Sequence, residues 1–139
     1  MDMAEHPERV RRRLIPDAAQ LQIILGSLLG GARIAGEPGE RWMRIAAATE
    51  RAGYVRWKYE RLAVFADAPP VETPRDISFR TIAHPLFDDL APLVTSPRGR
   101  VLELLSPLGV AVWMADAGRL ELRPDAFMPR RVASQLRAA

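Results

Sequence analysis

The chain has 139 residues, 48% of them apolar, no cysteine and a formal net charge of +3. That length and apolar content suit one globular domain with its own core and exclude a disordered chain. Without cysteine there are no disulfides or thiolate metal sites, and no apolar run reaches the ~18 residues of a membrane span. The N-terminus lacks a signal-peptide pattern, so a cytoplasmic location is expected. Of the 20 basic residues only Lys58 is not an arginine. Arginine suits planar two-point contacts to phosphate and guanine. A GC-rich genome gives the same bias, so only the placement of the arginines can carry a functional argument.

Residues 1–16, with Arg9 and Arg11 to Arg13, read as a flexible basic arm ahead of a domain over 17–139. Asp17, followed three residues later by Gln20, is a capping box. It opens a helix with apolar positions at Leu21, Ile24, Leu25 and Leu28, and Gly30 and Gly31 end it. A short strand over 32–34, a turn at Glu37-Pro38-Gly39 and an alternating strand over 41–47 follow. Thr49 is expected to cap a helix over 50–62. Pro69, Pro70 and Pro74 mark a loop or edge strand, after which residues 76–82 alternate again. A short helix over 85–93 follows His84, then a loop over 96–99 and a helical turn near 101–105. Ser106-Pro107 is a strong helix start, a serine cap with proline at the first helical position. That helix runs to about Asp116 and stops at Gly118. A strand over 119–123 and a terminal helix over 130–137 complete the reading. His84 reads as a turn-stabilising residue, and Tyr54, Trp57 and Trp113 read as packing.

The helices opening at Asp17 and Ser106 form an internal repeat: each is apolar, rich in small residues, and ends at glycine before an arginine-bearing strand. The first copy is Ile24-Leu25-Gly26-Ser27-Leu28-Leu29-Gly30-Gly31-Ala32, and the second is Ala111-Val112-Trp113-Met114-Ala115-Asp116-Ala117-Gly118. Between them lie Tyr54-Val55-Arg56-Trp57-Lys58-Tyr59-Glu60-Arg61-Leu62, Phe79-Arg80-Thr81-Ile82-Ala83-His84-Pro85-Leu86-Phe87 and Leu104-Leu105-Ser106-Pro107-Leu108. In this order the segments resemble the LAGLIDADG homing endonuclease family over about 17–137.

The resemblance implies an α+β fold: a saddle-shaped sheet built from mixed α/β half-domains about a pseudo-twofold axis. The first half would span 17–95, and the second, over 96–139, would be shortened. The two motif helices would meet at the axis, where Gly26 with Gly30 and Ala111 with Ala115 permit a close approach. Each helix of the family ends in a carboxylate, and the two hold divalent metal for cleavage of both DNA strands. Here Gly31 and Ala117 stand at those positions, so no catalytic residue and no metal ligand is expected there. Asp116 survives one position earlier and reads as a structural acid at the helix end.

Strand parity gives a separate argument. If apolar residues face the helices, Arg33, Arg44, Arg80, Arg119 and Arg123 collect on the opposite face, which in the resembled fold is the DNA-binding saddle. Arg33 and Arg119 lie two residues after Gly31 and Ala117, and so at matched positions. The reading is a catalytically inactive duplex-DNA-binding protein with a regulatory role and no cofactor, and a homodimer is expected because a shortened second half would leave a sheet edge and apolar surface exposed. Two alternatives remain at this point. One is a residual Mg-dependent endonuclease that uses Asp116 in a homodimer. The other is an orphaned structural or interaction module without nucleic acid.

Overall fold

The computed structural model describes residues 7–95 and 99–118. After a short first helix α1 (Pro7–Arg12), α2 spans Ala18–Leu29. Its start is the expected capping box. The Asp17 carboxylate accepts from the Gln20 N–H at 2.8 Å, and the Gln20 side chain accepts from the Asp17 N–H at 2.9 Å. Its end is a Schellman turn, in which the Ala32 N–H donates to the Ser27 carbonyl at 2.8 Å and Gly31 takes φ +121°.

Four strands form one antiparallel sheet: β1 (Arg33–Ala35), β2 (Trp42–Ala48), β3 (Val71–Glu72) and β4 (Asp76–Arg80), in the order β1-β2-β4-β3. Alternation holds along the central strands. Met43 and Ile45 of β2, and Ile77 and Phe79 of β4, are buried, while Arg44, Ala46 and Arg80 between and beside them are exposed. The buried set joins Ile23, Ile24 and Leu25 of α2 with Val55 and Leu62 of α3 (Ala52–Leu62) in one core on the helix side of the sheet. α4 (Pro85–Thr95) and the single turn α5 (Gly99–Leu102) lead to α6 (Pro107–Asp116). Among the described residues no helix is long and apolar enough to cross a membrane.

The structure differs from the sequence expectations in several places, each with a local cause. Residues 7–16 were expected within a flexible arm, but α1 docks on the domain. Arg11 Nη1 donates to the Ala66 carbonyl at 3.0 Å, and Arg12 pairs with Glu40 at 2.8 Å. Thr49 does not cap α3, because its hydroxyl donates to the Thr73 carbonyl at 3.2 Å and a 3-10 turn over Thr49–Arg51 precedes the helix. The Ser106 hydroxyl makes no capping bond either. The Ser106 N–H goes instead to Gln22 Oε1 at 2.7 Å, and Gln22 Nε2 donates to the Leu104 carbonyl at 2.9 Å, so α2 holds the start of α6. His84 does stabilise its turn: Nδ1 accepts from the Leu86 N–H at 3.0 Å, and Nε2 lies 2.8 Å from the Leu14 carbonyl oxygen. Trp57 and Tyr54 are buried, whereas Trp113 is half-buried. The expected strand over 119–123 and helix over 130–137 lie outside the described residues.

The contact that organises these elements is the crossing of α2 and α6. A Cβ added at Gly26 would lie 2.4 Å from the Gly109 carbonyl oxygen, and one at Gly30 would lie 2.3 Å from Asp116 Cβ. At Gly109 the first obstacle is the Gln22 side-chain oxygen at 2.3 Å, which can move only by giving up its bonds to Ser106 and Leu104. A methyl at Gly26 instead meets backbone, which cannot move without parting the helices. Gly26→Ala is expected to destabilise the protein by about 1–3 kcal/mol. Chemical denaturation of the variant measures this, and an unchanged stability would show that the helices separate freely at Gly26.

Candidate functional site

Two regions collect charge. The first is the exposed sheet face. Pairing sets Arg33 of β1 opposite Arg44 of β2, and Arg44 opposite Arg80 of β4, so three arginines stand in one row across three strands. All three are exposed. Neighbouring strands lie about 4.8 Å apart, and like charges directly opposite each other are destabilising. Arg80 is partly compensated, with Nε 3.2 Å from Asp67 Oδ2 and its guanidinium 4.9 Å from the centroid of the Trp42 ring. Arg33 and Arg44 have no ion pair among the described residues. Arg119 and Arg123, assigned to the same face by sequence, lie outside the described residues.

The second region is a recess of about 340 Å³ at the C-terminal ends of α2 and α6, bounded by Gly30, Gly31, Ala47, Arg51, Lys58 and Asp116. This is where the family's carboxylates would converge. Gly31 occupies the left-handed region at φ +121°, which a residue with a side chain rarely adopts. The reason is local: Ala32 stands where the motif has its final glycine, so the left-handed turn falls one residue earlier, on the acid position itself. In the second copy Gly118 retains that turn at φ +75°, and Ala117 precedes it at φ −79°.

Asp116 is clamped. Lys58 Nζ lies 2.9 Å from both of its carboxylate oxygens, and the two side chains are only 3% and 12% exposed. Two more α3-side groups cover the end of α6. The Tyr54 hydroxyl donates to the Val112 carbonyl at 3.2 Å, and Arg51 donates to the Ala115 carbonyl. Cations and donors at a helix C-terminus satisfy its open carbonyls and oppose its partial negative charge. Lys58 and Arg51 also sit over the Tyr54 ring, at 4.7 and 5.0 Å from its centroid. Burial pushes the Lys58 ammonium below the usual lysine range, and the Asp116 charge opposes that shift. Burial, and then Asp116, raise the Tyr54 phenol, so it remains a donor.

These residues do not fit a divalent cation. Gly31 and Ala117 bring no side-chain oxygen, and both oxygens of Asp116 face an ammonium. Among the described residues no group of three or more histidines and carboxylates could hold a metal ion. Sequence reading placed Asp116 at the helix end but missed its partner. The available signal was that Lys58, the lone lysine, falls four residues after Tyr54 and one after Trp57, on the apolar stripe of α3. Arg51, Trp42 and Asp67 were also missed, since their roles depend on contacts between elements.

The fold and its two converging motif helices define an α+β protein of homing-endonuclease-like architecture. A family model fixes the assignment: the LAGLIDADG DNA endonuclease family matches residues 21–131, and the chain belongs to that family. No curated protein matches it. Among solved structures it is similar to the homing endonuclease I-WcaI bound to its DNA recognition sequence, with a TM-score of 0.65 and 13% identity. That match covers 82% of this chain and 58% of the other, so the chain spans little more than half the length of that structure.

The Lys58–Asp116 pair generates a stability prediction. Removing one partner leaves a poorly solvated charge, whereas removing both does not. Lys58→Met is expected to cost about 3–5 kcal/mol, and Lys58→Met with Asp116→Leu clearly less than the sum of the single changes. A double-mutant cycle in denaturant reads the coupling, and additive costs would mean that the pair is not formed.

Proposed function

We propose that this protein binds duplex DNA through its exposed sheet face without cutting it, as an inactive member of its family with a regulatory role. The observation that carries the reading is the register-aligned row of Arg33, Arg44 and Arg80. A sheet selected only for folding does not gain from three like charges in line, whereas a polyanion neutralises them. Arg119 and Arg123 would extend the same surface. The similar structure of I-WcaI bound to its DNA recognition sequence supports a nucleic-acid role for the fold.

Loss of cleavage rests on the acid positions. Gly31 and Ala117 offer no ligand, and the backbone at Gly31 disfavours any residue that could. A residual nuclease would have to use Asp116, whose carboxylate is committed to Lys58. Supercoiled plasmid incubated with the protein and Mg²⁺ or Mn²⁺ is therefore expected to stay supercoiled. Metal-dependent linear product that disappears in Asp116→Asn would overturn the inactive reading.

Binding itself is tested by salt dependence. Each phosphate-contacting arginine adds about 0.9 to the slope of log affinity against log salt. Arg33→Ala with Arg44→Ala is expected to flatten that slope by roughly 1.8, read by fluorescence anisotropy on random duplex DNA. Arg56, which pairs with Glu72 at 2.5 Å, serves as the control, and its substitution should leave the slope unchanged. A double variant that behaves like the control would remove the sheet face from the binding surface. A wild-type protein that binds no DNA at low salt would sink the reading altogether.

A further inference from the structure

Beside the arginine row the exposed face drops into a trough of about 400 Å³ between β2, β4 and the segment after α3. Its lining includes Trp42, Pro69 and Val71 as apolar groups, and Arg44, Asp67 and Arg80 as charged ones. Val71 is 64% exposed, and the charged pair at the rim is solvent-accessible, with Arg80 and Asp67 side chains 54% and 43% exposed. Asp67 is tied to Arg80 twice, by its N–H to the Arg80 carbonyl at 2.9 Å and by its carboxylate to Arg80 Nε at 3.2 Å. With the Trp42 ring centroid 4.9 Å away, the Arg80 guanidinium sits between an aromatic ring and the Asp67 carboxylate.

We propose that this trough holds a nucleobase displaced from its stack, so that the protein prefers DNA carrying an unpaired base over fully paired duplex. The inference rests on the DNA-binding reading above. Its argument is one of shape and chemistry. A base within a duplex presents only its edge, and a phosphate gains nothing from an apolar floor. A base turned out of the stack presents a face and two edges. The Arg80 guanidinium, with Trp42 behind it, can stack on that face, as guanidinium groups do with unpaired bases. Asp67, on the adjacent wall, accepts from base N–H groups, and Val71 and Pro69 exclude water from the ring. Arg44 and Arg33 continue from the trough along the sheet, where the flanking phosphates would lie.

The test compares three DNAs by anisotropy: a fully paired duplex, the same duplex with one bulged thymidine, and the same bulge made with an abasic residue. The two bulged DNAs carry equal charge, so their ratio isolates the base. The wild type is expected to bind the thymidine bulge about tenfold tighter than the abasic bulge. Trp42→Leu and Asp67→Asn should each bring that ratio close to one. Asp67→Asn changes an exposed side chain and guards against misfolding of the Trp42 variant. Arg33→Ala should weaken both affinities and keep the ratio. Equal binding of the two bulges, with paired duplex still bound, would overturn the trough as a base site and leave the DNA reading intact. Discrimination that survives both trough substitutions would overturn this placement. Binding to none of the three would overturn the DNA reading itself.

Discussion

The closeness of α2 and α6 at Gly26 and Gly30 governs most of what else the chain can do. A Cβ at either glycine would lie less than 3.0 Å from the opposite helix, so the two helices meet at backbone distance. Small residues confer no hydrophobic stabilisation of their own at such a contact. What they permit is dispersion contact along the whole crossing, with Ala111 and Ala115 fully buried against it. The same closeness brings the two helix C-termini into one recess. The open carbonyls of both helices then concentrate partial negative charge in a small volume. Something cationic must answer that charge.

In this chain the answer comes from protein side chains. Arg51, Lys58 and the Tyr54 hydroxyl reach from α3 and its preceding turn to the last turn of α6. Lys58 is almost wholly buried, and an isolated ammonium there would be costly. Asp116 provides its counter-charge and a bond to each carboxylate oxygen. The arrangement satisfies the local electrostatics with the groups a metal site would need kept free. Structural completeness and metal chemistry compete for the same recess, and Asp116 can serve only one of them.

Much of this was legible in the sequence because it depends on local periodicity. The capping box at Asp17 and Gln20, the glycine stop of α2, the proline at the first position of α6 and the inward parity of Met43, Ile45, Ile77 and Phe79 are all properties of neighbours in the chain. The misreadings share one cause. Thr49 and Ser106 carry good capping side chains, but tertiary contacts set their surroundings: the Thr73 carbonyl takes the Thr49 hydroxyl, and at Ser106 the helix start is held through its backbone N–H by Gln22 of α2. The helix over 7–12 owes its place to contacts with Ala66 and Glu40, which lie far along the chain. The Lys58–Asp116 pair spans 58 positions, and no local pattern reports a partner at that distance.

The distribution of compensation across the sheet face leads to the last step. Arg80, on β4, is answered by Asp67 and Trp42, while Arg44 and Arg33 are answered by nothing among the described residues. Each uncompensated cross-strand pair of like charges opposes folding by about 0.2–1 kcal/mol. Unanswered positive charge is therefore concentrated on β1 and β2, the end of the sheet that leads out of α2. Under the DNA-binding proposal, phosphates would gain most from contact there, since they would replace repulsion between arginines with attraction. The recess at the helix ends offers less: Lys58 is already neutralised by Asp116, and Gly31 brings no carboxylate that could hold a metal ion. On that proposal the arginine row, and not the recess, would set how long the protein stays on DNA, and any effect on other DNA-binding proteins would follow from that residence.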